Sequence, residues 1–496
     1  MKYNDRVAPR VFTPLRIPNS DSFRRKIQGS VQETKVSLTR IRGPFIFSRL
    51  TRNQLFMRTM IKDLSDKKGE TTVIKGWVDV ARHQGKMAFF DFRDVSGRVQ
   101  GVVFGKPEVL EVAKTLRPEW VVSVEGIVNE RPENMIKKDV LNGDIELEIT
   151  HIEILNEAEI PFELQEDVNL VTNLDHRPFT LRSDKNKAIF KVQHEIIKAF
   201  RSSLESKGFT EFQAPKIVGG DAEGGGEVYE VPYFGHVAGL ATSPQLYKQM
   251  MVAVFERGFT TGNVFRAEKH NTSRHLNEYT SLDYEFGFIN DHQDVMDVHE
   301  SVLRDIVNSV VNNCREELRL HEVEAPLLPE GKFPTLKLRE AQELLEANFD
   351  TKAVGEDDLE PEHERMLCEY SAREWSSDFV FVTHYPVSKR PFYTKEDEQD
   401  PGFTKSFDCL YRGVEITTGG QRRDNVAEMT AGLEMKGLKA ENFSFYLEAF
   451  ATGMPPHGGI GMGLERLTQK FMGLDNVKKA TTFPREINRI DTLLSE

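Results

Sequence analysis

The chain has 496 residues, enough for two or three domains with a sizeable core. Hydrophobic residues make up 39% and charged residues 29%, the balance of an ordinary soluble globular protein, and no apolar run approaches the ~20 residues that a membrane span needs. The net charge is −13, and the three scattered cysteines, Cys314, Cys368 and Cys409, suit neither a disulfide framework nor a zinc site, which points to a reducing, cytoplasmic setting.

The charge is unevenly spread. Residues 1–60 hold 13 Lys/Arg against 3 Asp/Glu, so the rest of the chain is more acidic than the total suggests. An acidic body does not exclude an RNA partner, because phosphate binding depends on local cationic surface. The basic head is open to three readings: an RNA-gripping tail, an organelle-targeting segment, or a disordered extension with Met57 or Met60 as the start. No helical periodicity or core pattern stands out in it, and 1–60 is taken as a disordered extension.

Residues 61–156 are expected to form the first domain. TTVIKGWVDV, MAFFDFRD, RVQGVVF, EWVVSVEGIV and DIELEITHIEIL are β-rich runs, separated by DVSGR, GKPE and NERPENMIKKDVLNG. Five short strands in about 85 residues suit an OB-fold β-barrel. In MAFFDFRD, alternation puts Phe90 and Phe92 on the core face and Phe89 on the other face with Asp91 and Arg93. An aromatic on a polar face is a candidate platform for stacking an unpaired RNA base. For Phe89 alone, a barrel residue under a loop would account for it equally well.

Residues 157–185, with Pro161 and Pro178, read as a hinge or linker, and 186–496 as a catalytic domain. Ile189, Val192, Ile196, Phe200 and Leu204 share one helical face, and Gly208 supplies a stop. FTEFQAPKIV then reads as a strand interrupted by Pro215. Val295, Val298, Val302, Ile306 and Val310 predict a second helix over 292–316. The stretch 325–375 is acidic and helix-prone and carries no recognisable chemistry. From Phe379 onward FVFVT, SFDCLYR, GVEITT and SFYLEAF predict strands and a helix. The expected fold class is α+β, with a mostly antiparallel sheet flanked by helices.

The chemistry concentrates in two segments. FRAEKHNTSRHLNEYTSLDYE, 265–285, sets Arg266 and Arg274 among Glu268, Glu278, Asp283 and Glu285; GGIGMGLER, 458–466, sets Arg466 behind a glycine-rich turn. Arginines flanking a site, with acids able to hold a metal, are what a bound nucleoside triphosphate requires. Asp408 and Glu415 in SFDCLYRGVEITTGG offer hard oxygen ligands suited to Mg²⁺. Neither GxGxxG nor GxxxxGK[ST] occurs, so Rossmann and P-loop readings fail. The HIGH and KMSKS patterns are also missing. A surface salt bridge would explain any one of these charged residues; the ordered set carries the reading.

These two segments closely resemble motifs 2 and 3 of the class II aminoacyl-tRNA synthetases. SPQLYKQ at 243–249 and GVEITTGGQR at 413–422 narrow the resemblance to the aspartyl-tRNA synthetases in their compact archaeal/eukaryotic form. It runs from about residue 71 to 489, with four motifs in the family's order. The resemblance implies an N-terminal OB-fold that binds the tRNA anticodon and a class II catalytic domain. It implies activation of L-aspartate with ATP and Mg²⁺, then transfer to the 3′ end of tRNA(Asp), with tRNA(Asn) left open. The helix, strand and proline at 189–215 resemble motif 1, which implies a homodimer.

Residue by residue, the resemblance implies two catalytic arginines, Arg266 at the α-phosphate and Arg466 at the γ-phosphate. Ala267, Glu268, Arg274, His275 and Leu276 would join them around ATP, as would Glu415, Gly463, Leu464 and Glu465. Lys248 and Arg422 would hold the aspartate carboxylate, with Glu223, Gln245, Asp283, Arg266 and Thr418 around the same substrate. Glu415, Thr418 and Asp408 would hold the metal; Thr418 stands where archaeal members often carry a serine. His457, in PPHGG, is a candidate loop residue over the substrate, although a lone histidine is more often structural than functional. Arg82, Phe89, Gln100 and Glu146 match anticodon-reading positions, whereas Asp79 departs from residues often seen in archaeal relatives. Two alternatives stand beside this reading. An asparagine-specific sibling typically lacks the lysine matched by Lys248. A non-catalytic RNA-binding paralogue has no need of Arg266, Glu415 and Arg466 together.

Overall fold

Alternation of apolar and polar residues builds the first unit. In β1 (Thr71–Gln84), β2 (Met87–Asp94), β3 (Gly97–Phe104), β4 (Val121–Glu130) and β5 (Ile145–Asn156), every second side chain turns inward. The computed structural model describes residues 58–138, 140–164, 168–220 and 227–494, so most of the basic head and Glu223 lie outside the described residues. Contacts divide the chain into two compact units, one ending at Pro161 and the other beginning at Phe162.

The five strands close into a barrel in the order β1-β2-β3-β5-β4. Phe90 and Phe92 stack in its core, and Ile61 and Leu64 of a preceding 3₁₀ turn (Ile61–Lys67) plug one side. Between β3 and β4 a helix, α1 (Pro107–Thr115), packs Val109, Leu110, Val112 and Ala113 against the barrel. The sequence showed only the GKPE turn there, because nine residues give too few helical turns for a clear period.

In the second unit the hydroxyl of Ser183 caps α2 (Asp184–Ser206), and Gly208, at φ +80°, ends it. The expected face of α2, Ile189 to Leu204, is buried. The segment 157–185 is not a bare linker over its second half. Short helices Leu170–Asp175 and Arg177–Thr180 belong to the second unit, and the buried Arg177 guanidinium donates to the carbonyls of Lys479, Thr481 and Thr482. Pro178 opens the second of these helices at a position where no N–H is needed.

The chain continues through β6 (Thr210–Glu211), β7 (Ile217–Val218), β8 (Glu230–Tyr233), β9 (His236–Leu240) and α3 (Gln245–Phe255). Next come β10 (Arg257–Phe265), β11 (Glu278–Gly287) and α4 (His292–Asn313). The stretch without chemistry in the sequence holds β12 (Thr335–Lys337), α5 (Leu338–Asn348) and α6 (Pro361–Trp375). The remainder is β13 (Phe379–Thr383), β14 (Ser406–Tyr411), β15 (Val414–Gln421), α7 (Val426–Met435), α8 (Ser444–Ala451), β16 (His457–Gly463) and α9 (Leu464–Phe471).

Eight strands form one sheet in the order β12-β13-β14-β15-β16-β11-β10-β6, antiparallel except for the two edge pairs. The main core lies between one sheet face and α2, α4 and α9. In β13, Phe379 and Phe381 enter that core, while Val380 and Val382 enter a second cluster with α5 and α6. Burial on both faces explains the unbroken apolar run FVFVT.

β11, β16 and β15 lie side by side at the centre. Asp283 pairs with Gly461 and Glu285 with Gly459, and the same two glycines face Thr418 and Gly420 on β15. A Cβ on Gly459 would lie 2.1 Å from the Tyr284 carbonyl oxygen and 2.3 Å from Glu285 Oε2, so only glycine lets the acids of β11 approach β16.

Candidate active site

Polar side chains from α3, β11, β15 and the start of α9, with Gly461, Met462 and Gly463 of β16, surround one cavity of about 360 Å³ in the catalytic unit. Its floor is a set of buried charges. Lys248 Nζ donates to Asp283 Oδ1 and to the Ile460 carbonyl, both at 2.8 Å, and lies 3.6 Å from Glu285 Oε2. Arg422 Nε donates to Glu285 Oε1 at 2.8 Å, and its Nη2 donates to the Gly459 carbonyl at 2.9 Å. Burial would lower the Arg422 guanidinium, but Glu285 outweighs it and raises its pKa. Ser281 Oγ donates to Asp283 Oδ2. Lys248 and Arg422, the two cations expected at the substrate carboxylate, are thus each matched by a buried acid.

A neutral network supports this floor. Tyr446 OH and Gln245 Nε2 both donate to Gln249 Oε1 at 2.9 Å. Gln249 Nε2 lies 3.0 Å from His457 Nε2, and His457 Nδ1 lies 3.0 Å from the Pro455 carbonyl. The carbonyl can only accept, so the proton sits on Nδ1 and Nε2 accepts from Gln249. Burial lowers the His457 pKa, which keeps the ring neutral. His457 is fully buried at the first position of β16, so the expected loop residue over the substrate is a support beneath the site instead.

The opposite end of the cavity is cationic. Arg266, Arg274, His275 and Arg466 line it together with Glu268, Glu415 and Thr418. The Arg266 guanidinium lies over the Tyr279 ring, 5.7 Å from its centroid. Arg466 Nη1 donates to the Glu415 carbonyl at 3.1 Å and lies 3.6 Å from Glu415 Oε2. Burial works against ionisation of Glu415, but Arg466 and the Thr418 hydroxyl, which donates to Oε1 at 2.9 Å, hold its pKa below the ordinary value. Burial lowers the His275 pKa, leaving a neutral ring beside Glu268.

The strands 265–287 hold these groups because Asn277 closes the loop between them. Its Nδ2 donates to the carbonyls of Arg266 and Glu268, and its backbone carbonyl accepts from the Arg266 N–H. The C-terminal segment clasps the same loop: Lys478 Nζ donates to Asn271 Oδ1 and Glu486 Oε2, each at 2.6 Å, and the Val477 N–H donates to the Ser273 carbonyl.

Of the expected ATP group, Leu276, Gly463 and Glu465 also line the cavity. Glu465 is buried, its two carboxylate oxygens accept from the Thr280 N–H, and burial pushes its pKa up to about 7. Ala267 and Leu464 do not line it: the Ala267 N–H donates to the Glu227 carbonyl, and Leu464 packs in the main core. Gln245, Lys248, Asp283, Thr418 and Arg422, from the group expected around aspartate, line the cavity, whereas Asp408 is not among the lining residues.

Asp408 lies opposite Thr418 across the β14–β15 pair. Its Oδ2 accepts from Arg390 Nη2 at 2.8 Å, while its buried Oδ1 makes no hydrogen bond. Burial pushes its pKa up to about 6, against the pull of Arg390. A buried oxygen without a hydrogen bond, on a residue that pairs with Thr418 across the strands and feels the charge of Glu415, fits a hard cation. Mg²⁺ binds through one or two carboxylates plus substrate phosphate oxygens rather than a closed protein cage.

Two contributors were not visible in the sequence. Glu364, on α6, accepts from Arg274 Nη2 at 2.9 Å, and burial pushes its pKa up to about 7. Arg390, in the connection from β13 to β14, lines the cavity. Each belongs to a stretch whose composition matches an ordinary solvated surface, and only folding brings Arg390 to the cavity and Glu364 to Arg274.

On the barrel, register gathers the expected anticodon residues. Arg82 faces Phe89 across β1–β2, Asp91 faces Gln100 across β2–β3, and the parallel β3–β5 pair sets Gly101 beside Leu147, the residues that follow Gln100 and Glu146. Phe89 is half-buried on the outer face, while Arg82 is exposed and donates to Asp91 at 2.9 Å. Asp79 sits at the β1 bulge and accepts from Arg93 at 2.9 Å and from Arg98 at 2.7 Å. Its departure from the usual residue thus carries a local ion-pair network.

Comparison with known proteins agrees with both units. A family model for an OB-fold nucleic acid binding domain matches residues 72–155, and one for class II tRNA synthetases (D, K and N) matches 169–487. The chain is 42% identical to an aspartate–tRNA(Asp/Asn) ligase of Thermus thermophilus, over 88% of this chain and 100% of the relative. It is 40% identical to the protein of the same name from Aeropyrum pernix, over 88% and 98%. A crystal structure of asparaginyl-tRNA synthetase from Pyrococcus horikoshii, complexed with asparaginyl-adenylate, superposes with a TM-score of 0.80 at 30% identity, over 88% of this chain and 99% of that one. The matched regions cover both units and every cavity-lining strand, and the chain belongs to the class II tRNA synthetases of the D, K and N group.

Proposed function

We propose that the chain is an aspartate–tRNA ligase, which activates L-aspartate with ATP to aspartyl-adenylate and transfers it to the 3′-terminal adenosine of tRNA(Asp). The observation that carries this reading is the floor of the cavity. Lys248 and Arg422 are buried at one end of a cavity that four further arginines, Arg266, Arg274, Arg390 and Arg466, also line, so one end suits a carboxylate and the other a polyphosphate.

Selectivity for a carboxylate follows from donor counting. Lys248 has three N–H donors and two are engaged; Arg422 is engaged through Nε and Nη2. The remaining donors suit an acceptor-only group, and an amide would turn its own N–H₂ toward them. A site that leaves buried donors unpaired rejects the wrong ligand strongly. Asp283 and Gln245 serve as acceptors for the α-ammonium group; Glu223, which the resemblance gives the same role, lies outside the described residues.

Activation needs the aspartate α-carboxylate to reach the α-phosphorus in line with the leaving pyrophosphate. Positioning and charge stabilisation are enough for that step. Arg266 neutralises the α-phosphate and Arg466 the γ-phosphate, while Glu268, Arg274, His275 and Leu276 orient the nucleotide. Glu415, Thr418 and Asp408 would hold Mg²⁺, which when bound adds charge neutralisation at the phosphate oxygens. Arg82, Phe89, Gln100 and Glu146 receive the anticodon, and the protein works as a cytoplasmic homodimer. Among the described residues no helix is long and apolar enough to cross a membrane.

The test is amino-acid-dependent ATP–pyrophosphate exchange with aspartate, asparagine, lysine and glutamate in parallel. Exchange with aspartate alone is expected. Exchange with asparagine would mean that the floor takes an amide, and no exchange with any of them would leave an RNA-binding paralogue.

A further inference from the structure

The connection between β13 and β14 carries one more arginine to the cavity, and its surroundings fix that arginine tightly. Tyr385 and Phe392 are both buried, 2% and 1% exposed. Phe392 is anchored among Met429, Leu433 and Tyr446, so the backbone on one side of Arg390 is held by α7 and α8. On the other side the Arg390 guanidinium lies over the Tyr385 ring, 3.8 Å from its centroid. Its Nη2 reaches Asp408 Oδ2 at 2.8 Å, and its buried Nε makes no hydrogen bond.

A carboxylate held through one oxygen cannot turn freely, so the direction of its second oxygen is set by whatever holds the first. Asp408 is in that condition: Oδ2 is bound by Arg390, Oδ1 is buried without a hydrogen bond, and Thr418 lies opposite in the strand pair. We propose that Arg390 is a positioning residue for the divalent-cation site, which clamps Asp408 so that Oδ1 is presented to a cation shared with Glu415 and Thr418. The inference rests on the functional reading above, in which those three residues hold the metal. It adds a residue outside the four recognised motifs. Arg390 acts through Asp408 and not on the phosphates themselves.

The test uses the full-length wild type with Arg390→Met, Arg390→Lys, Asp408→Asn and the Arg390→Met/Asp408→Asn double variant. Mn²⁺ binding is read from the electron paramagnetic resonance signal of the free ion, in the presence of a non-hydrolysable ATP analogue. Binding of the analogue without metal is measured by calorimetry. Loss of an outer partner of a metal ligand is expected to weaken Mn²⁺ by about 10–100-fold in Arg390→Met. Metal-free binding of the analogue should be unchanged, and the double variant should be no weaker than Asp408→Asn, because both changes remove one arrangement. Arg390→Lys, which keeps charge and donor, should recover part of the affinity.

A Met variant with wild-type Mn²⁺ affinity overturns the proposal. If that variant also loses metal-free analogue binding, Arg390 is a direct phosphate contact. Should Arg390→Met fail to fold, the Mn²⁺ affinity of Arg390→Lys decides in its place: an unchanged value overturns the clamp. Wild-type Mn²⁺ affinity in Asp408→Asn overturns the metal assignment and the clamp with it, while aspartate-dependent exchange by that variant would leave the wider reading standing.

Discussion

Lys248 Nζ and Asp283 Oδ1 are 2.8 Å apart, with side chains only 1% and 2% exposed. A pair this deeply buried gives little net stability but is costly to break, because removal of one member strands the other charge. Lys248→Met is therefore expected to lose about 3–5 kcal/mol of stability, together with aspartate-dependent exchange. Lys248→Met with Asp283→Asn restores the balance and should recover much of the stability but none of the exchange. Thermal unfolding and exchange assays on the single and double variants separate structural charge balance from substrate binding.

Arg466 projects from α9 into the cationic end of the cavity, 3.6 Å from Glu415. Arg466→Ala is expected to lower exchange by about 10²–10³-fold, the usual loss for one group that stabilises developing charge. Binding of tRNA in a gel-shift assay should persist. Unchanged exchange would remove Arg466 from the reaction.

Glu465 titrates from an ordinary 4.5 to about 7 because it is buried. The folded state therefore holds this proton more tightly than the unfolded chain. Its contribution to stability is largest below the unfolded value and falls as the pH rises through about 7. Urea unfolding of wild type and Glu465→Gln from pH 4.5 to 7.5 should show a declining component in wild type that the Gln variant lacks. Parallel curves would mean that the Thr280 N–H holds the carboxylate ionised throughout.

Phe89 and Phe92 lie on one strand, and their exposure sets their fates apart. Phe92→Ala removes a fully buried ring and should destabilise the barrel by about 3–5 kcal/mol. Phe89→Ala should leave unfolding nearly unchanged and weaken tRNA binding by about 1–3 kcal/mol, the worth of one base stack. Filter binding with a tRNA(Asp) transcript checks the second value.

Lys478 ties the C-terminal segment to the loop between β10 and β11 through Asn271 and Glu486. Lys478→Ala should speed amide hydrogen exchange over residues 268–275 and raise the KM for ATP more than it lowers kcat. Equal exchange rates would show that the Val477 to Ser273 bond suffices.

Much of this protein is legible from its sequence. The helical face of Ile189 to Leu204 and the alternation of Phe90 and Phe92 depend on local periodicity, which burial of one face imposes on any chain. Arg266, Lys248, Arg422 and Arg466 were readable because each sits in a run of residues with a required order. Other features depend on contacts between distant stretches. Glu364 and Arg274 are joined only when α6 docks, and Arg390 reaches Asp408 only when Tyr385 and Phe392 are buried. His457 is buried at the start of β16 and paired with Gln249, a contact that strand register sets. Sequence by itself determined the longer periodic elements, the family and the motif residues, because these follow from periodicity and local order. Tertiary structure decided which buried acid balances each cation and what orients Asp408, because those contacts join residues far apart in the chain.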